Sequence, residues 1–105
     1  MDIIVHRIRL RESVPRDRFE KWVTEVDYAA CPRLSSVASF SVQRIPGEGA
    51  SAPEYFEVIT VSSRDAFERD TRSETFRQLA SEFHGLAEVI ERLSGERVGP
   101  GYAAA

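Results

Sequence analysis

Residues 22–45 read WVTEVDYAACPRLSSVASFSVQRI, and the hydrophobic period changes partway along them. Trp22, Val23 and Val26 fall at the spacing of one helix face. From residue 36 onward the pattern alternates: Ala38, Phe40 and Val42 point one way, while Val37, Ser39, Ser41 and Gln43 point the other, as in a strand. Pro32 stops the helix, because the residue before a proline is pushed towards extended backbone. Asp27, Tyr28 and Cys31 lie in the turn between. An acid, a phenol and a thiol thus sit where a helix hands over to a sheet, an edge where loops commonly carry function.

On the N-terminal side, Phe19 extends the helical stripe, Pro15 suits the first turn, and Asp17 suits the positive end of the helix dipole. IIVHRIRL (3–10) reads as a first strand. One of its faces carries Ile4, His6, Ile8 and Leu10, and the other Ile3, Val5, Arg7 and Arg9. On the C-terminal side, PGEGASAP (46–53) reads as a mobile loop and EYFEVITVS (54–62) as a third strand. Phe56, Val58 and Thr60 share one face of it, and Tyr55, Glu57, Ile59 and Val61 the other. Ser63 is placed to cap a short helical turn, RDAFERD, and Ser73 a longer helix. In that helix Phe76, Leu79, Phe83, Leu86, Ile90 and Leu93 step by three and four, and Gly95 ends it. ERVGPGY then reads as a short last strand.

The order β-α-β-β-α-β is the split βαβ, ferredoxin-like arrangement. The fold class is α+β: one domain over residues 1–105, with a four-stranded antiparallel sheet and helices on one face. The other face is expected to carry Ile4, Ile8, Val37, Ile59 and Val61 among His6, Ser39, Ser41, Gln43, Tyr55 and Glu57. A half-apolar open face needs a cover, and a second copy in a two-fold homodimer, a dimeric α/β barrel, is the simplest one. The barrel is expected to hold an apolar pocket with a few polar groups.

Composition narrows the function classes. The chain has 105 residues, 42% hydrophobic and 30% charged, as for an ordinary globular domain. The net charge of −3 and the lack of a basic stripe argue against nucleic acid. Arg7, Arg9 and Arg11 cluster, but read as the solvated end of a strand. A single cysteine excludes an internal disulfide framework and a CxxC metal site. No apolar run reaches membrane-spanning length, and MDIIVHRIRL is too short and too charged for a signal peptide, so a cytoplasmic location is expected. No metal-binding spacing and no phosphate-binding glycine motif appears, so neither metal nor cofactor is expected.

Histidine is the side chain whose ordinary titration falls near working pH, so His6 suits a general acid or base; it also suits a buried histidine held by a neighbour. Glu57 comes beside it if strands one and three are neighbours, and would fix its tautomer; otherwise it is a solvated edge glutamate. Tyr55 shares that face, as hydrogen-bond donor to a carbonyl or as a lid. Asp27 suits orienting a catalytic group or capping the turn. Tyr28, Ser39, Ser41 and Gln43 are candidate binding residues along one wall and rim. His84, on the flank of the second long helix, looks to a pocket mouth or to solvent. Cys31 reads as structural, and Trp22 as core.

VHRIRL, FEKWVTEVDYAACP, SVASFSVQRI, YFEVITVSSRDAFERD and FRQLASEFHGLAEVIERLSGERVGPGY together resemble the RedY-like (HapK-type) family over nearly the whole chain. Its most distinctive pieces here are the WV..VDYA.CP turn and the SF.V.R strand. The resemblance implies a dimeric α/β barrel of ferredoxin-like protomers, at work in bacterial secondary-metabolite pathways such as those of prodiginine pigments. It implies a small cofactor-free pathway enzyme or helper acting on a reactive aromatic or carbonyl-containing intermediate, with its roles falling on His6, Asp27, Tyr28 and Glu57. The residues themselves suit a cofactor-independent enzyme with cyclase or dehydratase-type acid–base chemistry, in which His6 moves the proton and Glu57 or Asp27 orients it. Two alternatives share the pocket: a non-catalytic protein that shields a reactive hydrophobic intermediate, and a cofactor-free monooxygenase.

Overall fold

The computed structural model describes residues 1–47 and 52–105. Of the loop expected at 46–53, residues 48–51 lie outside the described residues. Strand β1 (Asp2–Leu10) leads into helix α1 (Arg16–Trp22), which continues through a π-helical turn (Val23–Asp27) into α2 (Tyr28–Ala30) and a 3₁₀ turn at Cys31–Arg33. Strands β2 (Val37–Arg44) and β3 (Glu54–Val61) follow, then helices α3 (Arg64–Asp70) and α4 (Glu74–Leu86), then strand β4 (Ala87–Glu96). All strand pairings are antiparallel, in the order β2-β3-β1-β4. This is the expected four-stranded ferredoxin-like α+β fold.

Both helix caps form as read. Ser63 Oγ accepts the Ala66 N–H at 3.1 Å, and Ser73 Oγ accepts the Phe76 N–H at 3.2 Å. The boundary of the second long helix differs. α4 stops at Leu86, with Ala87 already extended (φ −152°, ψ 173°). Ile90, Leu93 and Gly95 belong to β4, and the last strand, expected to start with ERVGPGY at Glu96, starts nine residues earlier at Ala87. AEVIERL is made of good helix formers at helical spacing, but the free edge of β1 recruits it; pairing overrides local propensity. A register shift between Arg7 and Ile8 marks a bulge in β4, which disguises the strand period.

The faces of β1 and β3 are reversed relative to the expectation, while Ser39, Ser41 and Gln43 of β2 lie on the open face as expected. Ile4, Ile8 and Leu10 are buried beneath the helices with Phe19, Val23, Leu86 and Phe67, and Tyr55, Ile59 and Val61 join them. Alternation assigns residues to two faces without saying which face the helices cover, and both faces of β1 and β3 carry apolar residues. Val37 also changes sides. A bulge between Val37 and Ser39 sets Val37 opposite Val61, on the same side as Phe40 and Val42. The open face carries Ile3, Val5, Phe56, Val58 and Leu93, with Ser39, Ser41 and Gln43.

Candidate functional site

The site begins with a row across the middle of the sheet. Val42 pairs with Glu57, Glu57 with His6, and His6 with Arg92, so β2, β3, β1 and β4 each contribute one side chain to the same face. Directly opposed residues on antiparallel strands bring their side chains within interaction range. His6 and Glu57 use that range. Nδ1 of His6 lies 2.7 Å from Oε1 of Glu57, with both side chains largely shielded from water. A carboxylate only accepts, so Nδ1 carries the proton, and Nε2 has no hydrogen-bond partner among the described residues.

Above this row the helices stand off from the sheet and leave a cavity of about 310 Å³. His6, Glu57 and Arg92 form part of its floor, and Asp27 and Cys31 come from the hand-over between helix and sheet. Trp22, Phe40, Phe67, Phe76 and Phe83 supply the apolar wall, and His84 lies at the edge. Small-molecule sites combine such apolar walls with a few convergent polar groups.

The π-helical turn explains how Asp27 enters. In an unbroken α-helix Val26 would share the core stripe with Phe19 and Val23. The wider turn carries Val26 out, leaving it 37% exposed, and brings Asp27 round towards the cavity. Burial pushes the Asp27 carboxyl up to about 7, and the Glu57 charge adds to the effect. Cys31, one turn on, donates its S–H to the Asp27 carbonyl oxygen at 3.5 Å. Burial, then the charges of Asp27 and Glu57, push its thiol up to about 11, which keeps it in the unreactive thiol form. Among the described residues no three of His, Cys, Asp and Glu are grouped as metal ligands.

Four of the expected site residues therefore line one cavity: His6, Glu57, Asp27 and His84. The other five lie elsewhere. Tyr55 is 1% exposed at the far end of the sheet, where its hydroxyl donates to Glu20 Oε2 at 2.6 Å. Arg44 holds the same Glu20 carboxyl down to about 2, so this end is a closed structural cluster. Tyr28 packs edge-on against Phe40, and its hydroxyl accepts the Val42 N–H at 2.9 Å, satisfying the outer edge of β2. Ser39, Ser41 and Gln43 sit on the open face, and the Gln43 side-chain amide donates to the Phe56 carbonyl at 3.1 Å.

Two lining residues escaped the sequence reading. Helical spacing puts Trp22 in the core; in the structure its indole N–H donates to Glu82 at 2.9 Å while its ring borders the cavity. Arg92 was hidden by the extended helix reading. The period-2 run of Ala87 and Val89, followed after the bulge by Arg92 and Ser94, was the available signal.

Comparison with known proteins places the fold and the family. The chain has a TM-score of 0.94 and 45% identity to the crystal structure of HapK from Hahella chejuensis, each chain covered completely. SnoaB, a cofactor-independent oxygenase from Streptomyces nogalater, shares the fold at TM-score 0.71 and 16% identity, covering 95% of this chain and 97% of its own. A dimeric ferredoxin-like protein from an uncultured marine organism aligns at TM-score 0.74 and 13% identity, covering 98% and 100%. No curated protein sequence matches significantly. The family described as REDY-like protein HapK matches residues 2–98, and the chain belongs to that family.

Proposed function

We propose that this chain is a cofactor-independent enzyme acting on a small aromatic or carbonyl-containing intermediate of bacterial secondary metabolism, in the cytoplasm. The observation that carries the reading is the 2.7 Å His6–Glu57 bond at the floor of a largely aromatic cavity that Asp27 also lines. Glu57 orients the imidazole and stabilises its cation once Nε2 has taken a proton from a carbon or nitrogen beside a carbonyl. Asp27, poised near neutral pH, returns a proton to a departing hydroxyl, which leaves as water. The pair of steps is a dehydration, and with an internal nucleophile a cyclisation. A homodimer supports the site from behind. The open face carries Ile3, Val5, Phe56, Val58 and Leu93 without a cover, and a protein of the same fold is described as dimeric.

The test compares turnover and binding of candidate aromatic and carbonyl intermediates by wild type, His6→Ala and Glu57→Gln. The expected result is a loss of about 10²–10⁴-fold in turnover for His6→Ala, with affinity nearly kept. A wild type that binds candidates and turns over none of them overturns the enzymatic reading and leaves a protein that shelters its ligand. Repeating the assay without oxygen separates dehydration from oxygenation, the activity named for SnoaB.

A further inference from the structure

The geometry points to Arg92 as the anchor for an anionic group on the ligand, so that the cavity takes an aromatic carboxylic acid in one fixed orientation. This rests on the acid–base reading of the same cavity and names the substrate class it serves. The other strand arginines are engaged. Arg7 pairs with Glu54 at 2.7 Å and Glu91 at 3.8 Å, Arg9 with Glu54 at 3.2 Å, and Arg44 with Glu20. Arg92, exposed on the β4 side of the cavity it lines, makes no ion pair among the described residues, so its guanidinium is open to both solvent and ligand.

Its surroundings favour an anion. Arg92 stands directly across from His6, whose proton-bearing nitrogen is turned to Glu57, so the free Nε2 is left for the ligand. Ser94, the next residue of β4 on this face, accepts a hydrogen bond from Arg64, a second cation, at 2.8 Å. His84, in the last turn of α4, borders the same cavity, and its carbonyl is held by the Arg11 side chain. Glu57 is separated from Arg92 by the width of the His6 strand. The row across the floor therefore runs from carboxylate through imidazole to guanidinium. A ligand carboxylate placed by Asp27 and Glu57 would meet two acids; placed by Arg92 it meets a planar fork that matches its shape. The aromatic body then lies against Phe40 and Phe76, and its reacting carbon falls near His6.

The experiment titrates 3-phenylpropanoate and 3-phenylpropanamide into the full chain by calorimetry. Trp22, the single tryptophan, reports occupancy of the cavity by its emission. Wild type is expected to bind the acid about ten- to a hundredfold tighter than the amide. Arg92→Gln should erase that preference and leave the amide's affinity as it was; Arg92→Lys should keep part of it. Equal binding of acid and amide by wild type, an equal loss of both in Arg92→Gln, or no binding of either probe overturns the assignment. Equal binding leaves the His6–Glu57 chemistry standing. Intact turnover in His6→Ala would remove that chemistry and leave Arg92 as anchor.

Discussion

Two rows of side chains cross the sheet side by side. On the helix-covered face the row is Val42, Glu57, His6 and Arg92; on the open face it is Ser41, Val58, Val5 and Leu93. The polarity is the reverse of a simple amphipathic sheet, in which the covered side is apolar and the open side polar. Charged groups on the covered side are costly without partners or access to water. The cavity and the 2.7 Å His6–Glu57 bond make that pair tolerable, Arg92 stays exposed at the β4 end of the row, and the shielded pair is what supports the proposed acid–base role. Apolar groups on the open side call for a cover, and Leu93, 62% exposed in the single chain, is the side chain that the proposed second copy would bury most.

The largest expected effect comes from inverting the open row. Val58→Asp places a charge among Val5, Leu93 and Ser41. In a sheet-on-sheet dimer that charge is buried without a partner, a loss of about 3–5 kcal/mol and so more than a hundredfold in dimer affinity. Sedimentation should then show wild type as a dimer and the variant as a folded monomer at about micromolar concentration. A monomeric wild type at that concentration would remove the second copy as the cover of this face.

The covered row has a pH signature through Asp27. Its carboxyl titrates at about 7 in the folded chain against 3.8 when unfolded. Folding therefore takes up a proton between these values. The stability associated with the neutral acid is complete below pH 3.8 and is lost as pH rises through 7. The shift corresponds to about 4 kcal/mol at most, and to roughly 2 kcal/mol once the cavity's opening to water is allowed for. Asp27→Asn removes the ionisable group. Urea unfolding should show the variant more stable than wild type at pH 8, with the difference closing as the pH is lowered towards 4. A difference independent of pH would mean that the Asp27 charge is not held in a desolvated place. Glu57→Gln should lower the Asp27 titration, since the Glu57 charge is the second cause of its elevation.

How much of this was legible depended on the kind of signal. Strand and helix order followed from period, and Ser63 and Ser73 as caps followed from local chemistry. Both are short-range properties. The adjacency of His6 and Glu57 followed from topology, because β1 and β3 are neighbours in this fold whichever face is covered. Which face the helices choose was not legible. Ile4 and Ile8 on one side and Ile3, Val5 and Val58 on the other present similar alternation, and only packing against Phe19, Leu86 and Phe67 decides between them. Arg92 was lost for a related reason. Ile90 and Leu93 continue the stripe of α4 at helical spacing, and the pairing of β4 with β1 that ends the helix is a long-range event. The π-helical turn, which exchanges Val26 for Asp27, left no mark in the period either.

The smallest effect is the sharpest test of which row is which. Ser41 belongs to the open row, beside Val58, and is exposed in the single chain. Its hydroxyl is remote from His6 by the thickness of the sheet, because neighbouring residues on a strand point to opposite sides. Ser41→Ala should change stability by no more than about 0.5 kcal/mol. It should leave the affinity for an aromatic ligand unchanged, while Phe40→Ala, one residue earlier on the cavity side, weakens it. Calorimetry on the two variants reads both outcomes. Were Ser41→Ala to abolish binding in a folded chain while Phe40→Ala left it alone, the ligand would have to sit on the open face, between two sheets. The charged row under the helices would then be a structural pair with a void above it. The 2.7 Å His6–Glu57 bond alone fits either outcome, since each group satisfies the other, so the contrast between Ser41→Ala and Phe40→Ala is what decides on which side of the sheet the ligand lies.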